Sequence, residues 1–443
     1  MGRQVYLREK EKMRGGKETA RMHEFENGLR LIHVASPTNV AYCGISIDAG
    51  TRDEEGGEEG MAHFCEHMMF KGTEKRKAWH IINRMEAVGG DLNAYTNKEE
   101  TVVYAAFMKE HFERAAELIF DIVFHSTFPQ HEMDKECEVI VDEIESYNDT
   151  PADLIFDRFE DLIYKGNSLG HDILGTAENV RKFRREDALR FTKRLYQPNK
   201  MVFFVFGDMT FEQVTRVVGK NIVKAGASES QEDFGRQELS EVATSSDCLD
   251  SMEDSESVES LPGIYTEERG THQAHVMVGR AAYGAKDDRR IALYFLNNIL
   301  GGPGMNSRLN VALREHSGLV YMAESTLTNY TDTSTWAIYF GCDAEDVEKC
   351  LRIVRRELDK LMNSPLTERQ FKAALKQIKG QIGVACDNFE NYALDTAKSF
   401  LHYNKFEGME DTFAHLKELT PQLLQEVAQE IFDEAKLTTL IFK

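Results

Sequence analysis

The chain has 443 residues, of which 42% are hydrophobic and 29% charged, and its formal net charge is −22 at pH 7. This length exceeds what one hydrophobic core usually spans, so two domains are expected. The negative charge disfavours a nucleic-acid partner, because phosphates would be repelled. No apolar run reaches the roughly 18 residues that a membrane span requires, so no membrane span is expected.

The protein is expected to be cytoplasmic. Its seven cysteines are scattered and form no CxxC pair, which is typical of buried thiols in a reducing compartment. Residues 1–21 are interpreted as an N-terminal extension without the apolar segment of a secretory signal. The extension is basic, but Glu9, Glu11 and Glu18 disfavour a mitochondrial presequence.

The first half of the chain is predicted to mix strands and helices. Strands at 26–36, after an Asn-Gly turn, and at 40–50 are expected to pair with each other. The sequence lacks a βαβ rhythm and a glycine-rich phosphate loop, so an α+β fold is preferred to a doubly wound α/β fold. The further predicted strands are DLNAYTN, TVVYAAF and 201–207, and the predicted helices are 60–72, 78–90, about 110–124, 131–148, 151–164, 185–196 and one ending at about 224.

Residues 227–260 interrupt this pattern with eleven acidic residues, one basic residue and many serines. Such a segment buries too little apolar surface to offset the entropy lost on ordering it. It is interpreted as an acidic, flexible linker between one domain at 22–226 and a second at 261–443. A short binding motif inside this linker is the alternative interpretation.

The order of elements recurs after the linker, which indicates a duplication. The second domain has no counterpart of the His-Glu-His motif described next, and Gln381 falls near the position that matches Glu143. The chemistry is therefore expected in the first domain alone. The matching stretches are HIINRMEAVGGDLNAYTN with LYFLNNILGGPGMNSRLN, TVVYAAFMKEHFERAAELIFDIV with TWAIYFGCDAEDVEKCLRIVRREL, and FPQHEMDKECEVIVDEIE with PLTERQFKAALKQIKGQ.

The stretch GMAHFCEHMMFKG at 60–72 predicts a metal site on a helix. His63 and His67 are four residues apart and so share one helical face, where both imidazoles can reach one cation. Glu66 flanks that face and is placed to act on a bound water rather than to bind the metal. An ordinary amphipathic helix that is rich in histidine and methionine is the alternative.

A catalytic zinc site needs a third protein ligand, which must come from another part of the chain. In DKECEVIVDEIESYNDTP at 134–151, Glu136 and Glu143 are seven residues apart and share one helical face. Glu143 follows His67 by 76 positions. This second helix is the candidate source of the missing ligand.

Together these motifs resemble the inverted-motif zinc peptidases, the family of pitrilysin, insulin-degrading enzyme and mitochondrial processing peptidase. HxxEH is followed by E-x-x-V-I-x-x-E, and GGDLNAYTNKEETVVY, THQAHVMVG and SRLNVALREHSGLVY add to the likeness. The resemblance covers the chain from about Met22 to its end, apart from the acidic linker. It implies two homologous domains, each a mainly antiparallel sheet covered by helices.

The resemblance also implies roles for the residues of the motif. His63, His67 and Glu143 would bind one Zn²⁺ per chain, and Glu66 would be the general base. Glu136 would orient a ligand histidine from outside the metal's own ligand set. A solvated helix residue is the alternative for Glu136.

The implied activity is that of a zinc-dependent endopeptidase that hydrolyses peptides or unfolded polypeptide segments. Asn93 and Ala94 would lie on a substrate-facing edge strand, and Arg314 and Tyr321 would hold the substrate backbone near the zinc, with Tyr321 stabilising an oxyanion. Two such chains, as a homodimer or as a heterodimer with a related subunit, would enclose a chamber. The alternatives are a non-catalytic scaffold or partner subunit, a zinc hydrolase of other substrates, and purely structural roles for Asn93, Arg314 and Tyr321.

Overall fold

The computed structural model describes residues 20–226 and 261–443. Nearly all of the predicted N-terminal extension and the whole predicted acidic linker at 227–260 lie outside the described residues. Within the two described ranges, no helix is long and apolar enough to cross a membrane.

The first half, residues 20–226, is built on a six-stranded sheet. Its strands are β1 (Ala20–Glu24), β2 (Arg30–Ala35), β3 (Val40–Ile47), β4 (Asp91–Thr96), β5 (Thr101–Met108) and β6 (Met201–Gly207). Their order in the sheet is β1-β2-β6-β3-β5-β4, and all neighbours are antiparallel except the parallel pair β2 and β6. The DLNAYTN strand is β4, and the prediction that it forms a sheet edge is confirmed.

Seven of the eight helices of the first half lie close to predicted positions, and the short helix at Ala177–Val180 was not predicted. In chain order the helices are α1 (Met61–Met69), α2 (Ala78–Glu86), α3 (Phe112–Phe124), α4 (Gln130–Asn148), α5 (Pro151–Ile163), α6 (Ala177–Val180), α7 (Arg185–Leu195) and α8 (Phe211–Lys224). Most of them cover one face of the sheet, where a single apolar core joins the helices to the strands. This core includes Met61, Cys65, Met68 and Met69, so these side chains of α1 are packing residues.

The expected pairing of the strands at 26–36 and 40–50 is wrong. β6 lies between β2 and β3 and pairs with both of them. The reason is burial: every residue of β6 is buried, so this strand needs the interior of the sheet, with neighbours on both edges. The Asn-Gly turn instead joins β2 to β1, a strand that begins at Ala20, just inside the predicted extension.

The second half, residues 261–443, repeats this arrangement and confirms the α+β fold of two homologous domains. Its strands are β7 (Gly263–Glu267), β8 (Ala274–Tyr283), β9 (Val320–Asn329), β10 (Thr333–Cys342) and β11 (Thr438–Phe442). Their order is β7-β11-β8-β10-β9, with β7 and β11 as the parallel pair. The same path is followed by β2, β6, β3, β5 and β4.

The helices of the second half are α9 (Arg289–Gly301), α10 (Val347–Asn363), α11 (Glu368–Cys386), α12 (Phe389–Tyr403), α13 (Met409–Glu418) and α14 (Pro421–Ile431). The matches of β5-α3 with β10-α10 and of α4 with α11 are confirmed. The first match is wrong: α9 packs on α11 as α1 packs on α4, so α9 corresponds to α1 rather than to α2. The counterpart of β4 is β9, because tertiary packing rather than local likeness fixes the correspondence.

Each half also supplies one helix to the other half's sheet. From the first half, α5 packs on β8 and β11, where Phe159 is fully buried. From the second half, α12 packs on β6 and β3, where Phe400 is buried. Each sheet therefore has its own helices on one face and a helix of the other half on the opposite face.

Candidate metal centre

The position of α1 is fixed by a buried carboxylate at its start. Glu54 accepts hydrogen bonds from the backbone N–H of Gly60, at 3.0 Å, and of Ala62, at 2.8 Å. A carboxylate at a helix N-terminus is favourable because it meets unpaired N–H groups and the positive end of the helix dipole. Gly60 has φ of 97°, and a Cβ there would lie 2.6 Å from the carbonyl oxygen of Leu174. The chain therefore enters α1 along a tightly constrained path.

Three side chains from two helices meet in front of α1. The Nε2 atoms of His63 and His67 lie 3.9 Å and 3.6 Å from the two carboxylate oxygens of Glu143 on α4. One ligand atom from each residue falls within 4.8 Å of the other two, so the three could hold one metal ion. Tetrahedral zinc, with bonds near 2.0–2.1 Å, places its ligands about 3.3 Å apart. The distances of 3.6 and 3.9 Å from the imidazoles to Glu143 are close to this spacing, and two imidazoles and a carboxylate are donor groups that suit zinc.

The two histidines differ in their surroundings. Burial, with the charge of His67 adding, lowers the pKa of His63 to about 3, so this imidazole is neutral as a metal ligand must be. Burial also pushes the pKa of His67 down, but hydrogen bonding to Glu136 and the nearby carboxylates outweigh it and raise the pKa overall. Among the described residues, Nδ1 of His63 has no hydrogen-bond partner.

Glu136 lies where it can orient His67. Its carboxylate is 3.0 Å from Nδ1 of His67 and 2.5 Å from Nζ of Lys71. Burial opposes its charge, but these two contacts lower the pKa of Glu136 overall. A carboxylate on Nδ1 fixes the imidazole so that Nε2 faces Glu143. Lys71 was not predicted, although it lies four residues after His67, within the helix predicted at 60–72.

Glu66 lies beside this group, and its carboxylate is held by β4. The hydroxyl of Thr96 donates a hydrogen bond of 2.7 Å to Oε2 of Glu66. Burial, reinforced by the charge of Glu143, raises the pKa of the Glu66 carboxyl. Thr96 was not predicted as a site residue. Strand alternation was the available signal, because Thr96 follows Ala94 on the same face of DLNAYTN.

The predicted substrate residues of β4 point in opposite directions. Ala94 packs on the helix-covered face, which also carries α1, whereas Asn93 lies on the other face and donates to Asp91 at 2.9 Å. The turn bond from Asn97 N–H to the Glu100 carbonyl and the alternation of antiparallel pairs leave the N–H and C=O of Ala94 on the free edge. The main chain of Ala94 therefore faces the edge where a substrate strand could pair. The substrate contacts of Ala94 and Asn93 stay predictions.

Arg314 and Tyr321 lie together at the surface of the second half. The guanidinium carbon of Arg314 is 5.5 Å from the centroid of the Tyr321 ring, and Tyr321 is 84% exposed. Arg314 belongs to a π-helical turn at Asn310–Glu315 and Tyr321 to β9. Within the described ranges, no hydrogen bond or ion pair joins them to the His63 group. Their role in substrate binding stays a prediction.

The position equivalent to the metal group has different chemistry in the second half. α4 and α11 are both 19 residues long, and Gln381 holds the same place in α11 as Glu143 in α4. Asn298 of α9 donates a hydrogen bond of 2.8 Å to the Gln381 side chain. A neutral amide pair thus links α9 to α11. At the equivalent place in the first half, His67 of α1 and Glu143 of α4 face each other.

The fold defined by these two halves is also found in solved structures. A crystal structure of a protease from Helicobacter pylori has a TM-score of 0.82 at 21% identity and covers 96% of this chain and 99% of that one. A Pseudomonas fluorescens structure described as a peptidase M16 inactive domain also reaches 0.82, at 17% identity, with 96% and 97% covered.

Sequence relatives give the family. An uncharacterized zinc protease of Streptomyces coelicolor is 30% identical over 93% of this chain and 87% of its own length. One from Bacillus subtilis is 30% identical over 94% and 96%, and the bovine mitochondrial-processing peptidase subunit beta is 29% identical over 93% and 81%. The insulinase (peptidase family M16) model matches residues 30–177, and the peptidase M16 inactive domain model matches 182–378. The chain belongs to the insulinase family of peptidases.

Proposed function

We propose that this protein is a zinc-dependent endopeptidase with His63, His67 and Glu143 as metal ligands and Glu66 as general base. The observation that carries the proposal is the convergence of these three donor groups within 4.8 Å of one another, beside a carboxylate held in place by Thr96. The membership in a family whose relatives are named zinc proteases supports the choice of metal and reaction.

A zinc ion held by His63, His67 and Glu143 would supply Lewis acidity toward a substrate carbonyl and a water molecule. Glu66 accepts a proton from the attacking water and passes it to the nitrogen of the leaving amine. Burial favours this role because it raises the pKa of Glu66, which brings the carboxyl closer to the working pH. Glu136 keeps His67 oriented, and the Thr96 hydroxyl holds one carboxylate oxygen of Glu66.

The substrate is an extended peptide or an unfolded segment that adds to the free edge of β4. Main-chain hydrogen bonds to Ala94 would read backbone shape rather than side-chain sequence. Arg314 and Tyr321 would reach the same segment from the second half once the site is closed around it. The Asn93 amide donates to Asp91, so a side-chain contact from Asn93 to the substrate would replace this hydrogen bond.

We further propose that two chains enclose the site, as a homodimer or with a related subunit, in the cytoplasm. The relation to a protein named as a subunit supports an assembly of this kind. Size-exclusion chromatography with light scattering would give the mass of the assembly. A closed chamber predicts cleavage of short unstructured peptides, whereas efficient digestion of a stable disulfide-bonded globular protein would argue against it.

The central experiment is metal analysis combined with digestion of a mixed peptide library, for wild type and Glu66→Gln. We expect both proteins to hold one zinc per chain and only wild type to cleave, with a loss of about 10²–10⁴-fold or more in the variant. Glu138→Gln, an exposed change on α4 between Glu136 and Glu143, is the matched control and should stay active. Full activity in Glu66→Gln would contradict the mechanism, and a metal-free, inactive wild type would favour the scaffold alternative.

A further inference from the structure

The turn between β9 and β10 carries a contact from the second half into the first. Thr331 donates its backbone N–H to both carboxylate oxygens of Glu99, at 3.1 and 3.0 Å, and its hydroxyl to one of them at 2.7 Å. Glu99 lies in the turn between β4 and β5 and is only 6% exposed. A nearly buried carboxylate that accepts several hydrogen bonds is strongly held, since losing a partner leaves it unsatisfied.

Arg52 completes this contact from a third segment. One of its guanidinium nitrogens donates to Glu99 at 2.7 Å and to Asp332 at 2.9 Å, and the other pairs with the second oxygen of Asp332. Two carboxylates, one from each half, therefore share one guanidinium. We call Arg52, Glu99, Thr331 and Asp332 the clasp.

Hydrogen bonds connect the clasp to the turn that directly follows Thr96. The side-chain oxygen of Asn97 accepts from the N–H groups of Glu99 and Glu100, both at 2.9 Å. The N–H of Arg52 donates to the carbonyl of Lys98 at 2.7 Å. A Cβ at Gly50 would lie 2.5 Å from the backbone nitrogen of Glu99, so the segment before Arg52 lies directly on the turn.

From this geometry we propose that the clasp positions the carboxylate of Glu66 by fixing the turn that follows Thr96. The second half would thus act on the base without touching the metal group: Asp332 and Thr331 hold Glu99 and Arg52, these hold the turn, and the turn holds Thr96. This inference rests on the proposed function, because it assigns positioning residues to the same site. A small displacement of a catalytic group costs much rate.

Asp332→Ala tests the proposal from the far side of the contact. Its matched control is Glu430→Ala, which also removes a second-half carboxylate that pairs with an arginine, here Arg289 at 2.7 Å. The two side chains are similarly exposed, Glu430 at 44% and Asp332 at 39%. We expect Asp332→Ala to lower kcat roughly ten-fold at unchanged KM and zinc content. Glu430→Ala should leave kcat unchanged. Equal kcat values in the two variants would overturn the proposal.

A double-mutant cycle with Thr96→Val shows whether the effect passes through Thr96. If it does, adding Asp332→Ala to Thr96→Val causes little further loss of kcat. Fully multiplied losses would overturn the proposed route. Glu99→Gln replaces Asp332→Ala in the cycle should the latter fail to fold.

Hydrogen exchange gives a readout that is independent of activity. In metal-free protein, Asp332→Ala should speed amide exchange across residues 96–101, and Glu430→Ala should not. Unchanged exchange in Asp332→Ala would overturn the proposal. If wild type cleaves no peptide, the proposed function fails, and this exchange comparison alone decides whether the clasp fixes the turn.

Discussion

The two halves share the order of five strands but differ in what joins their equivalent helices. In the first half, α1 and α4 face each other through His63, His67 and Glu143. In the second half, α9 and α11 face each other through the Asn298–Gln381 hydrogen bond. Within the described ranges, Nδ1 of His63 is buried without a hydrogen-bond partner, which is costly, whereas the two amides of the second half satisfy each other. The first half therefore keeps an arrangement that the fold does not need, which is typical of a functional site.

The largest difference between the two halves is expected when Glu143 of α4 and the equivalent Gln381 of α11 are each substituted. Glu143→Gln removes a metal ligand, so zinc affinity should fall by more than the 10–100-fold typical of losing an outer partner, and hydrolysis should be lost with it. His67→Ala should behave in the same way. Gln381→Ala changes the matching residue of α11 and should leave zinc content intact. Metal analysis after dialysis would check this, and zinc retained in Glu143→Gln would contradict the ligand assignment.

Helices α5 and α12, which each pack on the sheet of the other half, should contribute equally to the stability of the protein. Phe159→Ala on α5 and Phe400→Ala on α12 each remove a buried ring from the sheet of the other half, and each should cost about 3–5 kcal/mol of unfolding free energy. Val384→Ala, at a side chain that is 75% exposed, is the control and should change little. Urea denaturation measures all three, and a small cost in only one phenylalanine variant would show that the exchange is unequal.

The second half is expected to contribute to substrate turnover through Arg314 and Tyr321. Arg314→Ala and Tyr321→Phe should each lower kcat/KM about ten- to a thousand-fold, as the loss of a transition-state donor does. Zinc content and melting temperature should barely change, and the combined loss should be less than the product of the single losses. Met322→Ala, at the exposed neighbour of Tyr321, is the control. Wild-type turnover in both variants would reassign the pair to surface packing.

The smallest expected effect concerns how the free energy of unfolding depends on pH through Glu100, beside α12, and Glu160, on α5. Burial raises the pKa of Glu100, but His402 and Lys398 of α12 outweigh it and lower the pKa overall. Its stabilisation is thus present above the unfolded pKa of about 4.3 and lost as the pH falls through the folded value. Burial raises the pKa of the Glu160 carboxyl on α5. The stabilisation by Glu160 is therefore present below the unfolded pKa and lost as the pH rises through the folded pKa.

We therefore expect opposite pH responses from Glu100→Gln and Glu160→Gln. Glu100→Gln should weaken the protein at pH 7 more than at pH 4, and Glu160→Gln should weaken it at pH 4 more than at pH 7. The size should be on the order of 1 kcal/mol for each unit of pKa difference. Urea titrations at the two pH values would measure it, and parallel responses would contradict the assigned directions.

The sequence by itself determined the features that depend on local periodicity. The spacing of His63, Glu66 and His67 follows from one helical turn, and the helices and their order follow from apolar repeats. Glu143 and the family resemblance could also be predicted from the sequence, because both depend on fixed spacings between residues along the chain. The fold class and the duplication were predictable for the same reason.

Only the tertiary structure decided which distant segments meet. It placed β6 between β2 and β3, matched α9 with α1 rather than α2, and exchanged α5 and α12 between the sheets. It also brought Thr96 to Glu66 and Thr331 to Glu99, contacts that span 30 and 232 positions of the chain. Such contacts carry no local period, because burial of whole apolar faces selects them and individual side chains then pair where that packing leaves them.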